Sequence, residues 1–465
     1  MVKELLKSKV VKAGTWYTLT NFFTIGISFL TLPIFTRLLS TEDYGITSVY
    51  SSYLNIFVIV FSLDVVASIQ RGKFDFKDNY NQFVSSVLFL GTISFIIFSL
   101  LILAFQSFFS KMLDLEPILL YVLLINAFFA FVQNLVLAKF RVEYNYKKIS
   151  LIQIANSLIG VILSIILITR FFTNTKYLGR ILGSSLPVII SGFILLLYIF
   201  TQGKEIINKI YWKYALIISV PLILHNLAGI INAQFDRIFI NKYIGSSEAG
   251  IYSFAYNVGM IIDVLWASTN QAWVPWFYER MDANNYSAIR KRAKNFRDFF
   301  TLAYILILFV SPEIIKVMAD KRYWDGLVIV PYIFMAYYFN LMYSFEVNVE
   351  FYTRKTHLIS IGTILGAALN VVLNIALIPK YGYVIAAVTT VISNFFMFVF
   401  HFIIVNYLLR IRIFGIRFHL VSLSYVVIST IIFLVVQDYM LIRIFILVTG
   451  LVYLYSRYKG FLSKR

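Results

Sequence analysis

The stretch SVPLILHNLAGIINAQFDRIFI, residues 219–240, decides the fold of this chain. It is apolar over the roughly 20 residues that a helix needs to cross the hydrocarbon core of a membrane. Its few polar or small positions are His225 or Asn226, Gly229, Asn232 and Asp236. They follow one another at steps of three and four, which places them on one helical face. Because polar atoms are costly in hydrocarbon, we expect this face to turn toward protein or water.

A second long helix follows the turn NKYIGSSEAG, residues 241–250, and we expect it to end at Pro275. It carries polar side chains at similar steps, namely Tyr252, Tyr256, Asp263 and Asn270. Polar stripes on two membrane helices predict the wall of a water-filled cavity. The alternative is that these residues only hydrogen-bond helices to one another.

The composition is that of a polytopic membrane protein. Of the 465 residues, 60% are hydrophobic and 14% are charged, and the mean hydropathy is +0.81. Soluble domains carry about 25% charged residues. The sequence contains no cysteine, which excludes disulfides and thiolate metal sites. The net charge of +19 is a topology signal in such a protein, and we expect no nucleic-acid partner.

Apolar runs along the chain predict an all-α protein with about 14 transmembrane helices. Four prolines fall inside these runs, at Pro33, Pro187, Pro221 and Pro312, and membrane helices tolerate proline. Beside the two helices described above, the predicted spans lie near residues 16–39, 46–70, 83–105, 117–138, 149–171, 178–200, 296–319, 326–349, 357–379, 383–409, 416–437 and 440–458.

Loop charges predict the orientation of the chain. With the N terminus inside, about 29 of the Lys and Arg residues fall in cytoplasmic segments and about 12 in outer ones, as the positive-inside rule requires. Both termini, including the basic lead-in at residues 1–14, are then cytoplasmic. The richest predicted cytoplasmic loop is ERMDANNYSAIRKRAKNFRD, residues 279–298. Its segment 290–297 either obeys the same rule or binds acidic lipid headgroups.

Two pairs of matching stretches indicate an internal repeat. LLSTEDYGITSVYSSY, residues 38–53, matches YIGSSEAGIYSFAYNV, residues 243–258, at an offset of about 205 that pairs Gly45 with Gly250. FRVEYNYKKIS likewise matches VEFYTRKTHLIS, at an offset of about 207 that pairs Glu143 with Glu350.

The repeat predicts two six-helix bundles with the same orientation, because an even number of helices separates the matching stretches. This parallel arrangement occurs in transporters. We expect the bundles at residues 13–203 and 211–410, and two additional transmembrane helices with a cytoplasmic tail at residues 411–465.

Motifs for catalysis are missing from the sequence. It has no G-x-x-x-x-G-K-[ST] phosphate loop and no H-E-x-x-H zinc motif, and its four histidines are scattered. We therefore predict no catalytic residues, no metal site and no cofactor, and we expect that the protein is not an enzyme. An integral membrane polymerase or glycosyltransferase would need a long outer loop or a catalytic cluster, and neither is visible.

Charged residues within the predicted spans are functional candidates, because charges are rare in a membrane and usually serve a function there. Asp64 and Asp263, one in each half, are candidates for coupling transport to an ion. Asp236 and Arg237 lie at the outer end of the first quoted helix. They either form a local pair that holds the turn, or Arg237 binds an anion with its guanidinium fork.

Residues 219–259 resemble the signature region of bacterial oligosaccharide repeat-unit flippases. These Wzx-type proteins form the polysaccharide-transport branch of the MOP superfamily, which also contains the MATE multidrug exporters. Two more stretches are similar to this branch, LPIFTRLLSTEDYGITSVYSS at residues 32–52 and AALNVVLNIALIPKYGYVIAAVTT at residues 367–390.

The resemblance implies a function. Such a flippase moves an undecaprenyl-pyrophosphate-linked oligosaccharide repeat unit from the cytoplasmic to the outer leaflet of the bacterial cytoplasmic membrane. It works by alternating access and serves capsule, O-antigen or exopolysaccharide biosynthesis. The implied partners are the lipid bilayer, H⁺ or Na⁺ as a coupling ion, and a polysaccharide polymerase. The alternative is a MATE-like cation-coupled multidrug exporter.

The resemblance also implies that the first, second, seventh and eighth helices line the substrate cavity. Tyrosines there can stack on sugars, asparagines can bind hydroxyls and a cation can meet pyrophosphate. The candidate cavity residues are Asn21, Tyr50, Tyr53, Asn226, Asn232, Asp236, Arg237, Tyr252, Tyr256, Asn257 and Asn270.

Overall fold

The computed structural model describes residues 9–462 of the chain, and these are helical almost throughout. No β-strand occurs within residues 9–462, so the predicted all-α class is confirmed. Residues 1–8 of the basic lead-in and the last three residues of the tail lie outside the described residues.

The first of two compact units ends at Gly250. Apolar side chains such as Phe83, Leu123 and Phe131 are fully buried inside it. Short turns of 3₁₀ and π type follow α2 and α7. Its helices are α1 (Lys9–Leu38), α2 (Thr41–Phe61), α3 (Ile69–Asp75), α4 (Tyr80–Ala104), α5 (Gln106–Leu113), α6 (Pro117–Val142), α7 (Tyr146–Ile166), α8 (Lys176–Gly203) and α9 (Lys209–Tyr243).

The second compact unit begins at Ile251, within the long helix α10. A 3₁₀ segment, Lys321–Ile329, and a π segment, Ile404–Leu408, lie between its helices. Arg443 binds Glu313 through both guanidinium Nη atoms, at 2.6 and 2.7 Å, and so ties the last helix to α11. The helices are α10 (Ser246–Asp282), α11 (Tyr286–Met318), α12 (Val330–Tyr352), α13 (Thr356–Tyr381), α14 (Val384–Ile403), α15 (Ile416–Val436) and α16 (Met440–Leu462).

Thirteen helices of the described chain are long and apolar enough to cross a membrane. The fourteenth predicted span corresponds to α16, whose described apolar stretch Met440–Val452 is shorter than a full span. The four prolines that the sequence placed inside spans all lie within helices. The predicted count of about 14 therefore holds to within one helix.

Two of the predicted boundaries were wrong. Helix α10 continues through Pro275 to Asp282. Trp273 in this part of the helix packs against Phe296 of α11 and Phe345 of α12, and membrane helices tolerate proline when neighbouring helices support them. The basic segment 290–297 is not a loop, since only residues 283–285 separate α10 from α11 and the segment belongs to α11. Its first four cations, Arg290, Lys291, Arg292 and Lys294, are exposed on this helix, whereas Arg297 is buried.

The second predicted span, 46–70, is not one continuous helix. Helix α2 ends at Phe61, and Leu63 and Asp64 follow with positive φ angles of 53° and 50°. Bulky residues rarely adopt this left-handed conformation, which costs about 1–3 kcal/mol per residue. The chain then turns through Val65–Ser68 before α3 begins. The apolar sequence of this region gives no local sign of the break.

Helix α2 and the first turn of α10 cross in very close contact. Ser40 caps α2 by accepting a hydrogen bond from the Asp43 amide. Just beyond, a Cβ atom on Gly45 would overlap the Ser246 carbonyl oxygen, and one on Gly250 would overlap the Thr41 carbonyl oxygen. The two overlaps are reciprocal at the offset of about 205 that the sequence repeat showed. A contact that repeats in this way is what a local two-fold axis produces.

The turns after α6 and α12 have the same hydrogen bonds. Equivalent residues of the two turns are 210 positions apart, whereas the sequence match suggested an offset of about 207. Tyr144 and Arg354 both have a positive φ, of 57° and 59°. The Asn145 amide binds the Phe140 carbonyl, and the Lys355 amide binds the Glu350 carbonyl, each at 2.9 Å. The offset here is 210, so Glu350 corresponds to Phe140 and its predicted pairing with Glu143 was wrong.

Candidate functional site

The break after α2 brings together two residues that the sequence singled out separately. Asp64 Oδ2 accepts a hydrogen bond of 2.6 Å from Nδ2 of Asn226 on α9. The Asp64 side chain is nearly buried and Asn226 is half-buried. A carboxyl beside an amide at a helix break can bind hydroxyl groups or exchange a proton.

Arg237 forms a second polar cluster of the first unit near the end of α9. Its Nη1 donates hydrogen bonds of 2.7 Å to the Ala233 carbonyl and to Gln234 Oε1. Gln234 Oε1 also accepts a hydrogen bond of 3.3 Å from the Ser52 hydroxyl. Arg237 and the neighbouring Asp236 are both buried. The guanidinium is therefore held in place along its own helix.

The other predicted residues of α1, α2 and α9 lie in different surroundings. Tyr50 is buried, and its hydroxyl accepts a hydrogen bond of 3.1 Å from Asn126 Nδ2 on α6. Tyr53 is buried next to Phe57. Asn21 is exposed on α1, and Asn232 is half-buried on α9.

Paired polar side chains connect α10 with α12 in the second unit. Asp263 Oδ1 accepts a long hydrogen bond of 3.5 Å from Asn340 Nδ2. Two turns further on, Asn270 Oδ1 accepts a hydrogen bond of 3.0 Å from Asn348 Nδ2. Asp263 and Asn270 are both half-buried. The α10 partners were predicted, whereas the α12 asparagines were not, because no pattern within α12 distinguishes them.

The tyrosines of α10 form an aromatic group. Tyr252 is fully buried, and its ring centroid lies 5.9 Å from that of Tyr256. Tyr256 in turn lies 5.5 Å from Tyr337 on α12. Tyr256 and the adjacent Asn257 are half-buried. A tyrosine ring and an amide are residue types suited to binding a sugar.

Sequence reasoning missed four buried titratable residues of the second unit. They are Glu346, Glu350, His401 and His419, and each is fully buried. The detectable signal was two glutamates spaced i, i+4 at the end of the predicted span 326–349, since acidic residues are rare in membrane helices. Within the described chain, no group of three or more His, Asp or Glu side chains could hold a metal ion.

Comparison with known sequences matches the chain to one family. The sequence model described as "Polysaccharide biosynthesis protein" matches residues 10–281. A protein of the Lsg locus of Haemophilus influenzae is 26% identical over 381 residues, which cover 79% of this chain and 91% of that protein. An uncharacterized membrane protein of Methanocaldococcus jannaschii is 23% identical over 444 residues, covering 87% of this chain and 85% of that protein.

Comparison with solved structures identifies the fold. The lipid II flippase MurJ in an inward closed conformation has a TM-score of 0.72 and 17% identity, covering 96% of this chain and 99% of that one. An inward-facing MATE-family multidrug transporter of the MOP superfamily has a TM-score of 0.67 and 15% identity, covering 84% and 94%. The fold is therefore that of the MOP superfamily, as the resemblance implied.

Proposed function

Because this chain belongs to the polysaccharide biosynthesis protein family, we propose that it is a lipid-linked oligosaccharide flippase. The cargo is an undecaprenyl-pyrophosphate-linked repeat unit, which moves from the cytoplasmic to the outer leaflet of the bacterial cytoplasmic membrane. The sugar head of such a lipid cannot cross hydrocarbon unaided, because its hydroxyls would lose their hydrogen bonds to water. The protein must supply substitutes for those bonds within the membrane.

The observation that carries this proposal is the polar break at Asp64. It interrupts an apolar run, and its carboxyl meets the Asn226 amide at 2.6 Å. Irregular backbone at membrane depth is tolerated only where it is buried in protein or lines an aqueous cavity. Broken helices in transporters expose backbone and side-chain polar groups to the cargo. A hydroxyl-rich cargo is suited to this carboxyl–amide pair.

Each unit contributes further groups that suit the parts of the cargo. In the first unit, the fork of Arg237 is oriented by Gln234 and can bind a pyrophosphate oxygen pair. In the second unit, the half-buried Asn270 and Tyr256 can bind a hydroxyl and stack on a sugar ring. We assign these roles as proposals for the predicted cavity residues.

Alternating access between two repeated halves is the proposed mechanism. The halves are residues 13–203 and 211–410, with residues 411–465 outside the repeat. The reciprocal contact at Gly45 and Gly250 supports this division, because each half contributes the same positions to it. The positive-inside rule places both termini in the cytoplasm. The coupling ion is H⁺ or Na⁺, with Asp64 and Asp263 as binding candidates, and a polysaccharide polymerase is the proposed partner downstream.

A MATE-like exporter of organic cations is the second candidate. The observation that favours it is Asp263, a half-buried acid on α10 whose one described hydrogen bond, from Asn340, is as long as 3.5 Å. A carboxylate with a weak partner can attract an organic cation. The fold is compatible with either cargo, so the cargo itself must be identified.

Deletion of the gene in its native host tests the proposal. We expect loss of surface polysaccharide and accumulation of a lipid-linked oligosaccharide on the cytoplasmic leaflet, which mass spectrometry of extracted lipids would identify. The wild-type gene should restore export, and Asn226→Leu should restore it poorly at the same membrane level. Normal surface polysaccharide together with greater sensitivity to organic cations would favour the exporter instead.

A further inference from the structure

Two carboxyl–imidazole pairs lie side by side in the second unit. Glu346 and Glu350 are one turn apart on α12. Glu346 Oε1 lies 2.9 Å from His419 Nε2 on α15, and Glu350 Oε1 lies 2.7 Å from His401 Nδ1 on α14. All four side chains have no exposed surface. We call these residues the Glu–His cluster.

Each member of the Glu–His cluster keeps one polar atom without a hydrogen-bond partner among the described residues. These atoms are Glu346 Oε2, Glu350 Oε2, His401 Nε2 and His419 Nδ1. Buried polar atoms are normally paired, so an unpaired set needs an explanation. The two carboxyl oxygens can accept a hydrogen bond or a proton, and in a neutral pair the two imidazole nitrogens carry N–H donors. An apolar pair of similar size would usually join the helices as well, so unpaired buried donors and acceptors fit a group that gains and loses a proton.

The charge balance of the cluster favours one proton in each pair. A carboxyl and an imidazole that share a proton are together neutral, whichever of the two atoms carries it. Loss of that proton leaves a net negative charge in a fully buried site, and gain of another leaves a positive charge. Either change is costly in a low dielectric. Because the two pairs are one helical turn apart, a change of charge in one pair alters the cost of a change in the other, which makes them one coupled unit.

Arg297 on α11 places an ion pair beside the cluster. Its Nη1 donates a hydrogen bond of 2.7 Å to the carbonyl of Phe418, next to His419, and its Nη2 binds Asp298 Oδ1. A change of charge in the cluster can therefore be felt by this ion pair. The other titratable groups that the structure places near the cluster are Tyr338, which contacts the Thr301 hydroxyl on α11, and Tyr343, whose ring lies 5.0 Å from that of His401.

The fold does not need glutamates at these positions. By the offset of 210 between the two equivalent turns, Glu346 and Glu350 correspond to Val136 and Phe140 of α6. Both of those side chains are buried and apolar. His419 lies on α15, outside the predicted repeat. The cluster is therefore an addition to the second half that packing alone does not explain.

A proton needs only a short path from the cluster to water. Glu350 lies two residues before Tyr352, the last residue of α12, and its carbonyl accepts a hydrogen bond of 2.9 Å from the Lys355 amide. Arg354 and Lys355 in that turn are exposed. On the other side, Gly362 of α13 packs against His401 Nε2 so closely that a Cβ atom would overlap it. A small movement of α13 would therefore change the surroundings of the imidazole.

We propose that the Glu–His cluster is a proton-binding site of the second unit, in addition to Asp64 in the break after α2 and Asp263 on α10. One proton passes from a carboxyl or imidazolium of the cluster to a water molecule, giving hydronium and a singly negative cluster, and a later step reverses the transfer. The role of this exchange in driving transport rests on the proposed flippase function. The existence of the site does not.

Nuclear magnetic resonance of the full-length protein, labelled with ¹⁵N in its histidine rings, tests the site without any cargo. The sequence has only four histidines, so each ring can be assigned by single substitution. Between about pH 5 and about pH 9, we expect the His401 and His419 signals to move together in one coupled step. Glu350→Gln should abolish the step at His401, while Glu279→Gln, at an exposed position of α10, should leave it unchanged.

The outcome of the wild-type titration decides the proposal even if a variant fails to fold. Signals of His401 and His419 that stay constant over this pH range would overturn it. A coupled step in the wild-type protein supports it, and Gly362→Ala, which presses on His401 without removing a titratable group, should shift that step. If the step is present but gene deletion causes no lipid-linked sugar to accumulate, the proton site stands and the flippase function fails.

The coupling role has its own measurement. The export of polysaccharide by cells that carry Glu346→Gln together with Glu350→Gln should lose its dependence on external pH, at a membrane protein level matched to Glu279→Gln. A pH profile identical to that of the wild-type protein would overturn the coupling role.

Discussion

Alanine at Gly45 tests the close crossing of α2 with the start of α10. An added methyl group at Gly45 overlaps the Ser246 carbonyl oxygen, and one at Gly250 overlaps the Thr41 carbonyl oxygen. Both obstacles are helix backbone, which cannot rotate away as the end of a side chain can. The two helices must therefore move apart, and the contact between the Thr41 and Ser247 hydroxyls at 2.7 Å is lost with them.

The expected size of the effect follows from two opposing contributions. Overpacking a tight contact costs about 1–3 kcal/mol, and replacing glycine by alanine inside a helix returns up to about 1 kcal/mol. We therefore expect Gly45→Ala to lower the free energy of unfolding by about 1–2 kcal/mol. Gly26 on α1 has no neighbouring atom within 4 Å of an added Cβ, so Gly26→Ala should raise stability instead.

The assay is thermal unfolding of the purified protein in one detergent, with surface polysaccharide measured at matched membrane levels. Gly45→Ala and Gly250→Ala should each lower the unfolding midpoint. Their combined effect should be smaller than the sum, because both methyl groups separate the same two helices. A midpoint for Gly45→Ala that moves in the same direction as for Gly26→Ala would refute the close crossing.

Three further predictions concern the candidate site. Asp64→Asn keeps the size of the side chain but removes the carboxyl that accepts the 2.6 Å hydrogen bond from Asn226, so it should lower export at a matched membrane level, and surface polysaccharide equal to that of the wild-type protein would contradict a role for this carboxyl. Asp263→Asn should lower export and flatten its pH dependence, whereas unchanged export over the same pH range would leave Asp263 as a structural residue. Arg237→Lys keeps the charge but loses the guanidinium fork that Gln234 holds, so it should retain partial export. If Arg237 binds cargo, Arg237→Ala should abolish export at a normal protein level. If Arg237 only stabilises α9, Arg237→Ala should instead reduce the amount of folded protein. Full export by Arg237→Ala at the wild-type protein level would contradict both roles.

The class of the protein and the positions of most spans were predictable from the sequence, because hydropathy is a local property. A run of about 20 apolar residues must form a helix in a membrane, whatever surrounds it. The prolines inside the spans and the polar face of α9 were predictable for the same reason. The repeat around Gly45 and Gly250 was visible because the two stretches keep similar residues at one spacing.

Only the tertiary structure decided which polar residues meet. Asp64 and Asn226 are 162 residues apart in the chain, and no local pattern predicts the break that turns one toward the other. The continuation of α10 through Pro275 likewise depends on neighbours that hold the helix in place.

The Glu–His cluster shows most clearly why contacts between polar residues could not be predicted from the sequence. Glu346 and His419 are separated by 73 residues, and Glu350 and His401 by 51, so the histidines are scattered in sequence and become partners only in the folded chain. Hydropathy reflects only the free energy of burying each glutamate or histidine by itself. In the folded protein a partner on another helix offsets that unfavourable free energy, and the packing of the helices determines where this partner lies.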